Sequence, residues 1–387
     1  MASVQVGHAR RDITPPVGTW MAGYAARKEP CRAIHDPLEV NVVALSDGDT
    51  RIVMAAFDLC SLDLESVSSV KKEVLASAGI GPQQVMTNTS HTHAGPVVRC
   101  RRPEQFDADY FRGVLSSAAE AAAEAVEDLS PARLSVGAAP LDIGCNRRER
   151  VPEGEIILGV NREGPRLAEV TVWRFTRADA SDVVLFSTPI HGTTVGPDNL
   201  EISAEWMGEA RRRIEERLPE VRAVFLQGCS GNQNPYRDER TFERVARHGR
   251  TAAEAVCDAL SGALDVASLP LKNVARVLQL PLDGGGSDPC PLHGVRVGDA
   301  VLVGLGGEAF VEYALFTREK SAAQSTLVLG YTDGTVGYLP TAAAYAEGGY
   351  EPNAFKWMPG KKPWDPGLEA MLKEEIVRLL AELSREL

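Results

Sequence analysis

Apolar runs rich in β-branched residues alternate along the chain with stretches whose apolar positions recur every three to four residues. The runs predict strands over 51–59, 84–88, 133–143, 168–177, 183–190, 222–227, 274–282, 295–305 and 326–330. The helical spacing predicts helices over 62–78, 108–127, 204–218, 239–261, 310–322 and 367–387. Strands 168–177 and 183–190 follow one another directly, which implies an antiparallel hairpin; others alternate with helices. The expected fold class is therefore α/β, of the α+β kind, with mixed β-sheets sandwiched by outer helices. No Pro/Ser-rich tract, charge block or repeat divides the chain, so a single domain over 1–387 is expected.

Composition narrows the function. The 387 residues carry a formal net charge of −12, which argues against nucleic-acid partners, since these need a basic surface. The segments Arg147-Arg148-Glu149-Arg150 and Arg211-Arg212-Arg213 are short, and the second has the look of the solvated face of a helix. Seven cysteines show no CxxC spacing, which suits reduced thiols. The N-terminal residues lack a basic region and an apolar region, and no run approaches a membrane span. A cytoplasmic location without stable membrane association is expected.

Candidate chemistry sits at the predicted strand ends. His91 and His93, in Ser90-His91-Thr92-His93, follow the run 84–88 and would share a face if the strand continued. Paired imidazoles there suggest a metal centre as readily as one structural and one exposed histidine. Pro189-Ile190-His191-Gly192 ends another strand; His191 is either a cap or a second ligand. Gly306-Gly307-Glu308 ends a third. Glu308 is either an acid at a helix start or the carboxylate that completes a two-histidine set. Such a set suits catalytic zinc, and equally a non-haem Fe(II) oxygenase.

Gly228-Cys229-Ser230-Gly231-Asn232-Gln233-Asn234 is a glycine-rich turn after a strand. It fails the Gly-x-Ser-x-Gly elbow pattern, yet its amides could bind an oxyanion, or it could simply be a tight turn. Cys229 offers a rival nucleophile. Tyr338, Tyr345 and Tyr350 cluster further on and suit either loop packing or a pocket lining.

Gly7-His8-Ala9-Arg10-Arg11-Asp12, Met21-Ala22-Gly23-Tyr24, Ile34-His35-Asp36-Pro37, Phe57-Asp58-Leu59, the His91/His93 pair, Cys145-Asn146-Arg147, His191-Gly192-Thr193, Gly307-Glu308, Tyr338-Leu339-Pro340 and Tyr350-Glu351 occur in one order. In that order they resemble the catalytic domain of the neutral/alkaline non-lysosomal ceramidases. The resemblance implies Zn2+ held by His91, His191, Glu308 and Tyr338. It implies His93, Arg147 and Tyr350 around the scissile amide, with His35, Gly231, Asn232 and Asn234 on the substrate side. Asn234 stands where the family carries a serine, so a serine nucleophile is absent. The chain is also expected to lack the family's C-terminal β-sandwich and secretion signal, which would point away from membrane ceramide.

The expected function is zinc-dependent hydrolysis of an amide, or of an ester or lactone, in a small soluble substrate. An acyl-transfer or cyclising reaction on the same site is the alternative, and homo-oligomerisation is left open. Substrate choice is expected to lie with the irregular segments 99–106, 149–165 and 348–364.

Overall fold

The computed structural model describes residues 3–98, 103–358 and 360–385. The larger sheet runs in the order Val221–Gln227, Asp182–Thr188, Glu169–Arg177, Ser130–Pro140, Gln5–Asp12, Glu39–Ser46, Arg51–Phe57, Val85–Thr89, with Leu264–Val266 beside Ser130–Pro140. The smaller sheet runs Leu271–Pro281, Ser287–Val297, Ala300–Leu305, Ser325–Leu329. Most pairings are antiparallel. Within these two sheets three are parallel: Arg51–Phe57 with Val85–Thr89, Asp182–Thr188 with Val221–Gln227, and Ala300–Leu305 with Ser325–Leu329. This mixed α/β arrangement is the class that the patterning predicts.

Side-chain alternation sorts each strand between two layers. Val43 and Leu45 join Trp173, Val224, Val295, Leu302 and Leu327 in one apolar cluster, so the two sheets pack face to face. The Trp173 indole N–H donates across that interface to Ser325 Oγ at 2.9 Å. Val42 and Ala44 point the other way, into a cluster shared with helices Leu64–Ala78 and Ala108–Glu127. Helices Glu205–Arg217 and Phe242–Ser261 cover the rest of the larger sheet. Val311–Lys320 and Leu368–Ser384 cover the smaller one. Asp63, Asp107 and Thr241 cap their helices by accepting from first-turn amides, as their short oxygen-bearing side chains suit.

Several expectations need correction. The run 295–305 is two strands, not one: Gly298 adopts φ 59° and turns Ser287–Val297 back into Ala300–Leu305. Arg211 is not on a solvated helix face. Its guanidinium is buried and grips Asp58 at 3.0 and 2.5 Å. Central strands Gln5–Asp12 and Glu39–Ser46 went unpredicted, as did Gly144–Arg150. The segments expected to be irregular contain strand Ile156–Asn161 and the short helix Tyr350–Asn353; residues 99–102 lie outside the described residues.

The carboxyl ends of the parallel strands meet where the sheets meet. Asn88 accepts from the Gln227 amide at 2.8 Å and donates to the Gly330 carbonyl at 2.8 Å. Gln227 donates to the Ile190 carbonyl at 3.1 Å, and the Tyr331 amide to that of Gly307 at 2.9 Å. Crevices outside strand carboxyl ends are where open α/β sheets place their ligands.

Candidate metal centre

Each segment that leaves those strand ends delivers one group to a common point. His91 follows Val85–Thr89, His191 follows Asp182–Thr188, and Glu308 follows Ala300–Leu305. Nitrogen and oxygen donors of these three buried residues lie within 4.8 Å of one another. His91 Nε2 is 3.4 Å and His191 Nε2 is 3.6 Å from Glu308 Oε2.

The two histidines of the pair do not converge as alternate residues of a strand. The strand ends at Thr89, and His91 takes a left-handed φ of 58°. That kink turns its ring inward while Thr92 bridges to Gly192 and donates its hydroxyl to Ser203 O at 2.7 Å. His93 Nε2 consequently reaches 3.1 Å from His91 Nε2. Gly23 makes room for the His93 ring, since a β-carbon there would come within 2.5 Å of it.

Ring orientation is set from behind. His91 Nδ1 lies 2.6 Å from the Cys60 carbonyl and His191 Nδ1 lies 2.9 Å from the Gln233 carbonyl. A carbonyl only accepts, so both Nδ1 atoms carry protons and both Nε2 atoms face the carboxylate. This is the outer-shell arrangement that fixes metal-binding imidazoles. Glu308 Oε2 is buried and forms no hydrogen bond of ordinary geometry.

The charges agree with a cation site. Burial opposes ionisation of Glu308, but the neighbouring His91 and then His191 hold the carboxyl well below its usual range. Burial lowers His91 too, yet Cys60 and Glu308 outweigh it and push the ring up to about 10. His91 thus carries the proton that balances the buried carboxylate when no cation does so; a divalent ion would replace that proton. Burial and then Arg147 bring His191 down to about 3, leaving it neutral. The residues fit a divalent metal held by His91, His191 and Glu308.

Tyr338 and Glu308 are partners in a short parallel ladder, which sets them side by side. Burial, then the Glu308 charge, keeps the Tyr338 phenol well above its ordinary range, so only a cation's charge would make it a ligand. Tyr350 packs edge-on against Tyr338, ring centroids 5.7 Å apart, and is 41% exposed. The Arg147 guanidinium lies 5.4 Å over the Tyr338 ring and 5.9 Å over the Tyr350 ring. Its Nη1 is 3.2 Å from His191 Nε2, and its Nε donates to Glu351 at 2.8 Å.

Of the expected substrate-side residues, Asn234 touches the cluster: its Oδ1 accepts from Arg147 and from Thr193, each at 3.4 Å. Gly231 brings its turn against Glu308, where a β-carbon would lie 2.3 Å from the carbonyl oxygen. The Asn232 side chain points elsewhere, to Val311 N at 3.0 Å and to Glu312 at 2.8 Å, and holds a helix start. His35 is likewise apart, stacked on Phe242 and paired with Asp36 at 2.8 Å. Tyr345 lines a cavity with Phe355 and Trp364. Cys229 is fully buried and its thiol is pushed up by burial and Glu312, which removes it as a nucleophile.

Sequence reading missed Tyr331, whose ring stacks on His91 at 4.2 Å and whose hydroxyl meets Ser230 Oγ at 2.9 Å. It also missed Glu351 as the joint anchor of Arg147 and Arg148. The glycines flanking Tyr331 in Gly330-Tyr331-Thr332-Asp333-Gly334, just past a strand, were the available signal for the first.

Among solved structures, the neutral ceramidase from Pseudomonas aeruginosa superposes with a TM-score of 0.83 at 17% identity, covering 100% of this chain and 75% of that one. A ceramidase complexed with C2 gives 0.83 and 17%, over 99% and 75%. A comparison with curated protein sequences finds no match. The family model described as neutral/alkaline non-lysosomal ceramidase, N-terminal, matches residues 4–235. With that stretch covering more than half of its length, the chain belongs to the neutral/alkaline non-lysosomal ceramidases, a family of amide hydrolases.

Proposed function

We propose that this chain is a zinc-dependent amidohydrolase acting on the C–N bond of a small soluble substrate. The observation that carries the reading is the convergence of His91 Nε2, His191 Nε2 and the unpartnered Glu308 Oε2, with both rings tied back to carbonyls. Tyr338 would be the fourth ligand. Zinc, when bound, supplies Lewis acidity toward a carbonyl oxygen and a water made acidic near neutral pH.

The chain's own groups do the rest. Arg147, held by Glu351 and Asn234, presents a fixed guanidinium edge to an oxygen that gains negative charge. Tyr350, beside it and part-exposed, donates its hydroxyl to the same oxygen. His93 is neutral, since burial and the neighbouring His91 and His191 hold it well below its usual range. Its buried Nδ1 has no partner among the described residues, so the ring is free to move a proton to the leaving nitrogen. Asn234, an amide where the family carries serine, leaves no hydroxyl to be acylated there.

The test is metal content by plasma mass spectrometry, in wild type and His191→Ala, followed by a panel of amides, esters and lactones. About one zinc per chain, lost in the variant, together with turnover of an amide, supports the reading. Stoichiometric iron with dioxygen consumption, or a wild-type chain that takes up no metal, overturns it.

A further inference from the structure

The acids and bases beside His93 do not cancel. The Tyr24 ring packs edge-on against His93, centroids 4.9 Å apart, and the Arg27 guanidinium lies 5.0 Å over Tyr24. Arg27 is 6% exposed. Its Nε donates to Asn199 O at 3.0 Å and its Nη1 to Ala22 O at 2.6 Å, while its Nη2 is buried with no partner among the described residues. Half-buried Arg237 lies close enough to Tyr24, Arg147 and Arg240 to feel their charges. Exposed Arg240 lies against Gly196, where a β-carbon would come within 2.7 Å of it.

The loop that carries Arg237 and Arg240 also carries Asp238 and Glu239, and both acids are used elsewhere. Asp238 pairs with Arg244, and Glu239 lies 3.6 Å from Arg247, both arginines on the helix that follows. Arg27, Arg237 and Arg240 have no carboxylate within ion-pair distance among the described residues. The interior acid whose charge reaches Tyr24 and Arg27, Glu205, commits its oxygens to the amides of Val195 at 2.9 Å and Trp206 at 3.3 Å. Burial also pushes its carboxyl up to about 7. Burial lowers both Arg27 and Arg237, as expected of guanidiniums lacking a counter-charge.

A chain of net charge −12 thus leaves a file of guanidiniums, running from the interior to the surface, uncompensated beside the histidine of its candidate centre. We propose that Arg27, Arg237 and Arg240 form the subsite for an anionic group, a carboxylate or a phosphate, carried by the substrate next to its scissile amide. Planar guanidiniums with free N–H edges suit either oxyanion. The inference rests on the hydrolase reading only for where the amide sits; the anion site stands on its own charges.

The test is calorimetry on protein stripped of metal by chelation, so that no turnover intervenes. The probes are N-acetylglycine, N-acetyl-O-phosphoethanolamine and the neutral N-acetylglycinamide, each titrated into wild type, Arg27→Gln and Arg237→Gln. At least one anion should bind about tenfold or more tighter than the neutral amide, a difference of ~1.4 kcal/mol. That advantage should collapse in either variant and weaken with added salt. The stronger anion tells carboxylate from phosphate. Equal binding of all three probes, no binding of any, or an advantage that survives both substitutions overturns the subsite. Arg237 is only half-buried, so Arg237→Gln keeps the test valid should Arg27→Gln fail to fold. Anion binding in a protein that takes up no metal would sink the zinc reading and leave this one intact.

Discussion

The Nδ1 atom of His191 stands 2.9 Å from the main-chain carbonyl of Gln233 and can only be its donor. The ring therefore turns a bare Nε2 toward Glu308. Since His91 is held the same way by Cys60 and His93 is not, the three histidines should separate cleanly on substitution. His91→Ala and His191→Ala are expected to lose metal and turnover together. His93→Ala should keep its metal and lose about 10²–10⁴-fold in kcat, the usual worth of general acid help. Metal analysis beside kinetics decides; equal metal loss in all three would remove His93 from its assigned role.

Asp58 should matter from a distance. It is buried, bidentate with Arg211, and starts the short segment whose Leu59 and Cys60 carbonyls receive His91 N and Nδ1. Asp58→Asn leaves a buried guanidinium short of charge and is expected to cost about 3–5 kcal/mol in denaturant unfolding. Metal affinity should fall about 10–100-fold as the His91 ring loses its orientation. An Asp58→Leu/Arg211→Met pair should recover stability relative to the single change, because it removes both charges at once.

Two glycines with opposite surroundings give a matched pair. Gly231→Ala would drive a β-carbon into the Glu308 carbonyl and is expected to cost about 1–3 kcal/mol, with lowered metal occupancy. Gly113 lies inside helix Ala108–Glu127 with nothing near its missing β-carbon. Gly113→Ala should raise stability by about 0.5–1 kcal/mol and leave metal content unchanged. Melting curves with metal analysis on both variants would expose an error in either placement.

Glu205 sets a pH signature on stability. Burial raises its carboxyl to about 7, so the folded state binds a proton that the unfolded chain releases at ordinary carboxylate pH. The stability that this proton contributes is present below the unfolded value and is lost as pH rises toward 7. The effect is of the order of 3 kcal/mol. Glu205→Gln keeps an oxygen for the Val195 amide and cannot ionise. Relative to wild type it should gain stability steadily from about pH 4 to 8; a flat difference across that range would contradict the burial argument.

Much of this arrangement was legible in the residues. Apolar runs located most strands of both sheets, and the strand-end positions of His91, His191 and Glu308 pointed to three side chains that the fold brings together. What escaped did so for physical reasons. Gln5–Asp12 carries His8, Arg10 and Arg11, polar side chains that hide a central strand whose partners, not its composition, hold it in place. The left-handed turn at His91 is a tertiary outcome, imposed on a residue that is not glycine and that the sequence alone does not mark for it. Arg211 looked solvated because its partner Asp58 is more than one hundred residues away in sequence. Tyr338 was reached through the family likeness alone, whereas Tyr331 had only its flanking glycines to announce it.

Because His91 and His191 hang from the larger sheet while Glu308 and Tyr331 hang from the smaller, the centre lies across a seam. Neither side holds a full set of donors. A metal ion there would act as a rivet between the sheets, and its release would loosen the smaller one first. Amide exchange in Ala300–Leu305 and Ser325–Leu329 would therefore speed up on chelation while Glu39–Ser46, deep in the other sheet, stays protected. With a metal bound there, chemistry and assembly would be one event: a chain whose halves have not closed on each other would have no catalyst to misuse.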